Sequence, residues 1–145
     1  MVKTHNVRMI VENNSGFTMI FKNQWYDSGR LADTYIWPKT VESGGKIDIL
    51  SYEKDWSLAG CSGVVGYEIN DTIVTFAFSN PSVATNKLGV GTTGILVWDE
   101  MDNHNYQPFV ANIVVSDVTL KCDCQCTGDT TNLATVNIYI YKHTH

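Results

Sequence analysis

The chain has 145 residues, of which 43% are hydrophobic and 17% charged, and its formal net charge at pH 7 is −5. That length fits one domain, 1–145, able to bury a core without metal or disulfide staples. The ten basic residues are scattered, so no stripe of them tracks a phosphate backbone, and nucleic acid is not an expected partner.

The N-terminal MVKTHNVRMIVENN has no apolar stretch followed by a small-residue cleavage site. No Sec-type signal peptide is expected, and the protein should be made soluble in a reducing cytosol. No apolar run approaches the ~18 residues of a spanning helix. Period-two alternation dominates, which predicts strands. Val7, Met9 and Val11 share one face. Asn13-Asn14-Ser15-Gly16 is a turn cluster, after which Phe17, Met19 and Phe21 alternate with Thr18, Ile20 and Lys22, predicting a hairpin. Asp27-Ser28-Gly29 and Pro38 bracket a short segment around 33–37. Ser43-Gly44-Gly45 opens the strand KIDILSYE, and CSGVVGYEI leads through Asn70-Asp71 into TIVTFAFS, a second hairpin. The stretch NPSVATNKLGVGTTG reads as a long loop, GILVW as a strand and EMDNHNYQP as a polar turn. A long strand follows from Phe109, then the turn TGDTTN and a last strand, ATVNIYIYKH. No window of a dozen residues has a helical period. The reading is all-β: roughly nine strands in one antiparallel sandwich or barrel.

Three of the four cysteines fall at alternate positions in LKCDCQC. Val118, Leu120, Cys122, Cys124 and Cys126 share one strand face; Thr119, Lys121, Asp123 and Gln125 share the other. Beyond the turn, Ala134, Val136, Ile138 and Ile140 form a matching apolar face. The cysteines therefore read as small core hydrophobes. A metal site would need a fourth ligand, such as Cys61, and a turn to gather the thiolates. A flat strand spaces same-face residues about 6–7 Å apart, which also makes a Cys122–Cys124 disulfide geometrically poor. No metal or cofactor is expected.

A nucleophile, base and orienting group are hard to assemble, so no enzyme is expected. Three of the histidines, His5, His143 and His145, lie near the termini, and His104 lies in a polar loop. G-x-S-x-G, HExxH and P-loop motifs are absent. The aromatics say more. Trp98 and Tyr67 sit inside apolar strands and read as core, whereas Trp37, next to Pro38, and Trp56 adjoin turn signals and read as exposed. Aromatic loop tips suit a membrane interface or a sugar face. Each interfacial ring contributes ~2 kcal/mol, so two or three give roughly sub-millimolar to tens-of-micromolar affinity. Tight attachment then needs a headgroup contact, oligomerisation or a second protein.

The opening VRMIVENNSGFTM and the block GCSGVVGYEINDTIVTFAFSNPSVATNKLGVG resemble the aegerolysins. They are most similar to the small component of the binary insecticidal crystal toxins of Bacillus thuringiensis. The shared pattern is Gly-x-x-Gly, a Tyr-containing strand, an Ile-Asn turn, a strand with Phe, then Asn80-Pro81 and Asn86-Lys87. Small subunits of two-component rootworm toxins, such as that of Alcaligenes, are equally similar in type, and actinoporins are more distantly so. The likeness covers somewhat over half the chain and thins over 101–127.

The resemblance implies a β-sandwich that binds lipid or a receptor on insect gut cells and recruits a larger second toxin component that completes a pore. A homo-oligomer is left open. It also implies synthesis in a bacterium, release, and action at the target-cell membrane. By position, the family's headgroup-proximal segment falls on residues 80–87. Pro81 would fix its shape, Asn80 belongs to it, and Ser82, Asn86 and Lys87 could hydrogen-bond a phosphate; Tyr26, Trp37 and Trp56 would be apolar anchors. The alternative is a lectin-like or other carbohydrate- or lipid-binding module acting alone.

Overall fold

The computed structural model describes residues 5–55, 57–101 and 108–141. In chain order the elements are β1 (Asn6–Asn14), β2 (Met19–Ser28), β3 (Arg30–Leu31), β4 (Thr40–Val41), β5 (Lys46–Tyr52), β6 (Gly60–Ile69), β7 (Thr72–Pro81) and β8 (Lys87–Gly91). They continue with α1 (Gly94–Glu100), β9 (Phe109–Val115), β10 (Val118–Gln125) and β11 (Thr131–Ile140). Two sheets stack as a sandwich, with strand orders β3-β5-β1-β11-β10-β9 and β4-β2-β6-β7-β8. Nine of these strands have five residues or more, and β3 and β4 have two each. All pairings are antiparallel except β1 with β11, which runs parallel from Asn6↔Thr131 to Asn14↔Tyr139. The expected antiparallel sandwich therefore carries one parallel seam, where the first and last strands meet.

The alternating apolar residues fill the space between the sheets. Val7, Met9 and Val11 of β1 face Tyr67, Phe76 and Phe78 of the second sheet in one buried cluster. Tyr67 donates its hydroxyl to the Pro38 carbonyl at 2.7 Å, which lets a phenol sit in the core. Leu120, Cys122, Cys124 and Cys126 are buried in the same cluster, as are Ala134, Val136 and Ile138. Cys122 pairs with Ile138, and Cys124 with Val136. The cysteines are thus core residues, as their parity predicts. All four are free and buried, and burial pushes the Cys61 and Cys122 thiols up to about 12. Ile140, by contrast, is 42% exposed.

Four local expectations are corrected. The first two strands do not form a hairpin: β1 pairs with β5 and β11, while β2 pairs with β4 and β6. The turn between them carries the chain from one sheet to the other, so each apolar face is buried against the other rather than beside it. GILVW is a helix; a short apolar run has no period that separates the two states. Val97 and Met101, four residues apart, pack on Ala77. The long loop after Pro81 contains β8, paired with β7 from Ser79↔Lys87 to Thr75↔Gly91. The long strand from Phe109 is two strands, broken where Ser116 takes φ 56°.

Candidate functional site

One end of the five-stranded sheet gathers the polar side chains of four strands into a row. The register places Ser28 beside Ser62, Ser62 beside Ser79, and Ser79 beside Lys87. Their neighbours Cys61 and Asn80 point into the sandwich, so this row lies on the outer face. Ser28 and Ser62 hydroxyls are 3.0 Å apart, and Ser62 and Ser79 are buried to 7% and 6% exposure.

The row borders a cavity of about 230 Å³, which Asp27, Trp98, Met101, Pro81, Val83 and Ala84 help to line. On one side α1 forms its wall. Gly91 leaves room for that helix, since a Cβ there would lie 2.6 Å from Val97 Cγ2. The Trp98 ring meets Trp25 edge-on at 5.5 Å between centroids. On the open side Val83 is 84% exposed, and Leu58, next to the lining residue Ala59, is 88% exposed. Buried serine hydroxyls and a lysine in the lining, with exposed apolar side chains beside them, match a ligand with an acceptor-rich head and an apolar remainder. The Asp27 carboxylate beside them favours a head that also carries a positive charge.

The loop over this cavity is braced from inside by asparagines. Asn80 Nδ2 donates to the carbonyls of Asn6 and Thr130 at 2.9 and 2.7 Å. Asn86 Nδ2 donates to Thr127 and Asp129 at 2.6 and 2.9 Å. Asn132, wholly buried, donates to the Ser79 and Lys87 carbonyls at 3.0 and 3.2 Å. Gly60, opposite Pro81 and at φ 80°, fixes the loop's start. A Cβ there would lie 2.6 Å from the Asn80 carbonyl oxygen.

Of the residues singled out from sequence, Pro81 and Lys87 line the cavity, and Ser82 is exposed beside it. Asn80 and Asn86 are buried, with their amide donors spent on the carbonyls of β1 and of the turn between β10 and β11. Tyr26 is half-buried; its hydroxyl lies 2.6 Å from Ser51 Oγ and its ring packs edge-on against Phe78. Burial holds its phenol above the ordinary range. The exposed position expected for Trp37 is corrected: the ring is only 6% exposed, packs near Phe78, and donates Nε1–H to Gln24 Oε1 at 2.6 Å. Pro38 after it marks an inward-tucked loop, not a tip. Trp56 lies outside the described residues. Sequence reasoning missed Ser28, Ser62, Ser79 and Asp27 because only the strand register assembles them. It missed Trp98 because a short apolar run such as GILVW does not separate helix from strand.

No family model matches the chain, and no curated protein matches it by sequence. Solved structures do share its fold. The lipid binding protein Nakanori superposes with a TM-score of 0.75 at 17% identity, over 98% of this chain and 73% of that one. IP-1A from Alcaligenes faecalis gives 0.60 at 10% identity, over 97% and 94% of the two chains. The lectin XCL from Xerocomus chrysenteron gives 0.60 at 12%, over 94% and 99%. The chain therefore has the β-sandwich fold that its resemblance to the aegerolysins implies, shared with a protein from Alcaligenes as well.

Proposed function

We propose that this protein is a membrane-docking subunit that binds a phosphate-bearing, zwitterionic lipid headgroup in the cavity beside Lys87. The observation that carries the reading is the Ser28–Ser62–Ser79–Lys87 row bordering a cavity whose rim is apolar and exposed. Serine hydroxyls and the lysine ammonium donate to phosphate oxygens, and Asp27 faces the cationic end of the head. Val83 and Leu58 enter the interfacial layer. Each contributes about 2 kcal/mol when buried there, so the two alone hold the protein only weakly and the headgroup contact supplies the rest.

The lipid-binding neighbour, the Alcaligenes neighbour and the sequence resemblance support a finer reading. In it the chain is the small component of a bacterial two-component insecticidal toxin, released from the producing cell. It docks on insect gut cells and recruits a larger partner that completes the pore.

The test is sedimentation with liposomes of insect-gut lipid extract, alongside vesicles lacking phosphate-bearing lipid, with dye leakage read in the same tubes. Binding with little leakage is expected, lost in Lys87→Gln and Val83→Asp variants that keep the wild-type circular dichroism spectrum. Binding to glycan-bearing beads and to no vesicle would transfer the site to a lectin.

A further inference from the structure

The two sheets end in four edge strands: β3, β9, β4 and β8. An exposed edge is a template for another strand, and natural proteins blunt it by shortness, charge, glycine or cover. Three of these edges are blunted. β3 and β4 have two residues each. β8 has five, begins with Lys87, contains Gly89 and Gly91, and carries α1 packed against it. The fourth, β9, is seven residues reading FVANIVV. It has no charge, no proline and no glycine, and it is paired with β10 along its whole length without a bulge. Among the described residues no strand pairs with its other side. On its solvent face Val110 and Val114 are 50% and 61% exposed. A groove of about 460 Å³, bounded by β8 and β9, leaves space beside the edge.

The sequence of this edge complements itself. In an antiparallel pairing of two copies centred on Asn112, Asn112 meets its own counterpart on the twofold axis. On the outer face Val110 then meets Val114, and Val114 meets Val110. On the inner face Ala111 meets Ile113, small against large, and Phe109 meets Val115. Two amides can hydrogen-bond each other at the axis, and valines pair on both sides of it. A slip of the register by one residue places the outward Val110 opposite the inward Ile113, and loses the amide pair.

We infer that β9 is a pairing edge for a second copy of this chain, joining two six-stranded sheets across a twofold axis at Asn112. The inference is independent of the lipid cavity, which lies on the other sheet.

Single cysteines report the register, because the four native cysteines are buried and leave a new surface thiol as the reactive one. Asn112→Cys, treated with a short bis-maleimide, is expected to give a covalent dimer, since facing positions lie about 5 Å apart. Val110→Cys and Val114→Cys are each expected to stay monomeric alone, being about 13 Å from their own counterparts, and to cross-link when mixed. Adding Val110→Lys and Val114→Lys to the Asn112→Cys protein opposes two ammonium pairs and should cut the yield about tenfold. Circular dichroism checks that each variant is folded. If Asn112→Cys cross-links no more than Thr18→Cys at an unrelated exposed site, or if all three edge positions cross-link equally alone, the inference is overturned. A strand from a different protein as the true occupant would give the first of these results.

Discussion

The two ends of the sandwich are closed by different devices. At one end tight turns fold back on themselves. Asn70 and Asp71 both take left-handed backbone, at φ 48° and 65°, the twist that suits a two-residue hairpin. Asn13 accepts from the Ser15 amide and hydroxyl and donates to the Phe17 and Val41 carbonyls. At the other end longer loops are held by three buried asparagines whose partners lie 41 to 74 residues away in sequence. The difference teaches how a binding surface can be carried on a loop without loosening it. Carbonyls that would otherwise need water are satisfied from within. The outward side chains, Ser82, Val83 and Ala84, are then released from structural duty and can face a ligand.

The largest expected effect comes from removing the central brace. Asn132→Ala deletes donors to Ser79 and Lys87 and an acceptor for the Thr127 amide. Buried groups left without partners cost about 1–3 kcal/mol each, so a loss of about 3 kcal/mol is expected, read as a lower urea midpoint at unchanged m. Asn13→Ala should cost a similar amount at the opposite end. The two variants separate on vesicles: at equal folded fraction, Asn132→Ala should bind less and Asn13→Ala as wild type. Equal binding by both would remove the distinction between the ends.

A glycine pair sharpens the same comparison with a smaller effect. Gly60 and Gly44 both have positive φ, 80° and 93°. Only Gly60 is crowded: nothing lies within 4 Å of a Cβ at Gly44, whereas at Gly60 three backbone atoms lie within 3.0 Å. Alanine at Gly44 should cost about 1 kcal/mol, the backbone penalty alone. At Gly60 the cost should be about 2 kcal/mol or more, because the loop after Pro81 has to move. Thermal midpoints of the two variants measure the difference. Equal shifts would mean that the loop yields freely and is not braced.

How far the sequence revealed each end follows from the same contrast. The Asn70-Asp71 hairpin and the core face of Cys122, Cys124 and Val136 are written in local pattern, so alternation and turn chemistry suffice to read them. The braced end is written in register. Ser62 and Ser79 look like ordinary strand serines until β6 and β7 are aligned residue by residue. Asn80 and Asn86 look like loop residues free to bind, because nothing near them in sequence marks the carbonyls of Thr130 or Thr127 as their partners. The burial of Trp37 is hidden for a related reason: the Gln24 Oε1 that accepts its indole N–H hydrogen bond lies on β2, outside the loop that carries the ring. The family pattern points to residues 80–87. It could not say which of their side chains turn outward.

The core between the ends offers a third perturbation that should act on both alike. The free-chain thiol has an ordinary pKa of 9.0, while burial, with a smaller effect from Glu53 on one and Asp123 on the other, raises Cys61 and Cys122 to about 12. Below pH 9 both thiols are protonated in the folded and unfolded chains, and their contribution to stability is whole. Above it the unfolded chain releases protons that the folded chain keeps, so stability falls as pH rises toward 12. The slope approaches about 1.4 kcal/mol per pH unit for each thiol. Cys124 shifts in the same direction and adds to the fall. Urea midpoints should therefore be flat from neutrality to about pH 8 and decline beyond pH 9. Cys122→Ala should remove its share of the slope while costing stability at neutral pH through the small cavity it leaves. Because these thiols sit in the cluster common to both sheets, amide exchange at the Asn13 turn and at the Asn132 brace should accelerate together with pH, beyond the intrinsic rate. Acceleration confined to the braced end would instead place the weak point in the loops, and would show that the asparagine amides hold the cavity less firmly than the core holds the sheets.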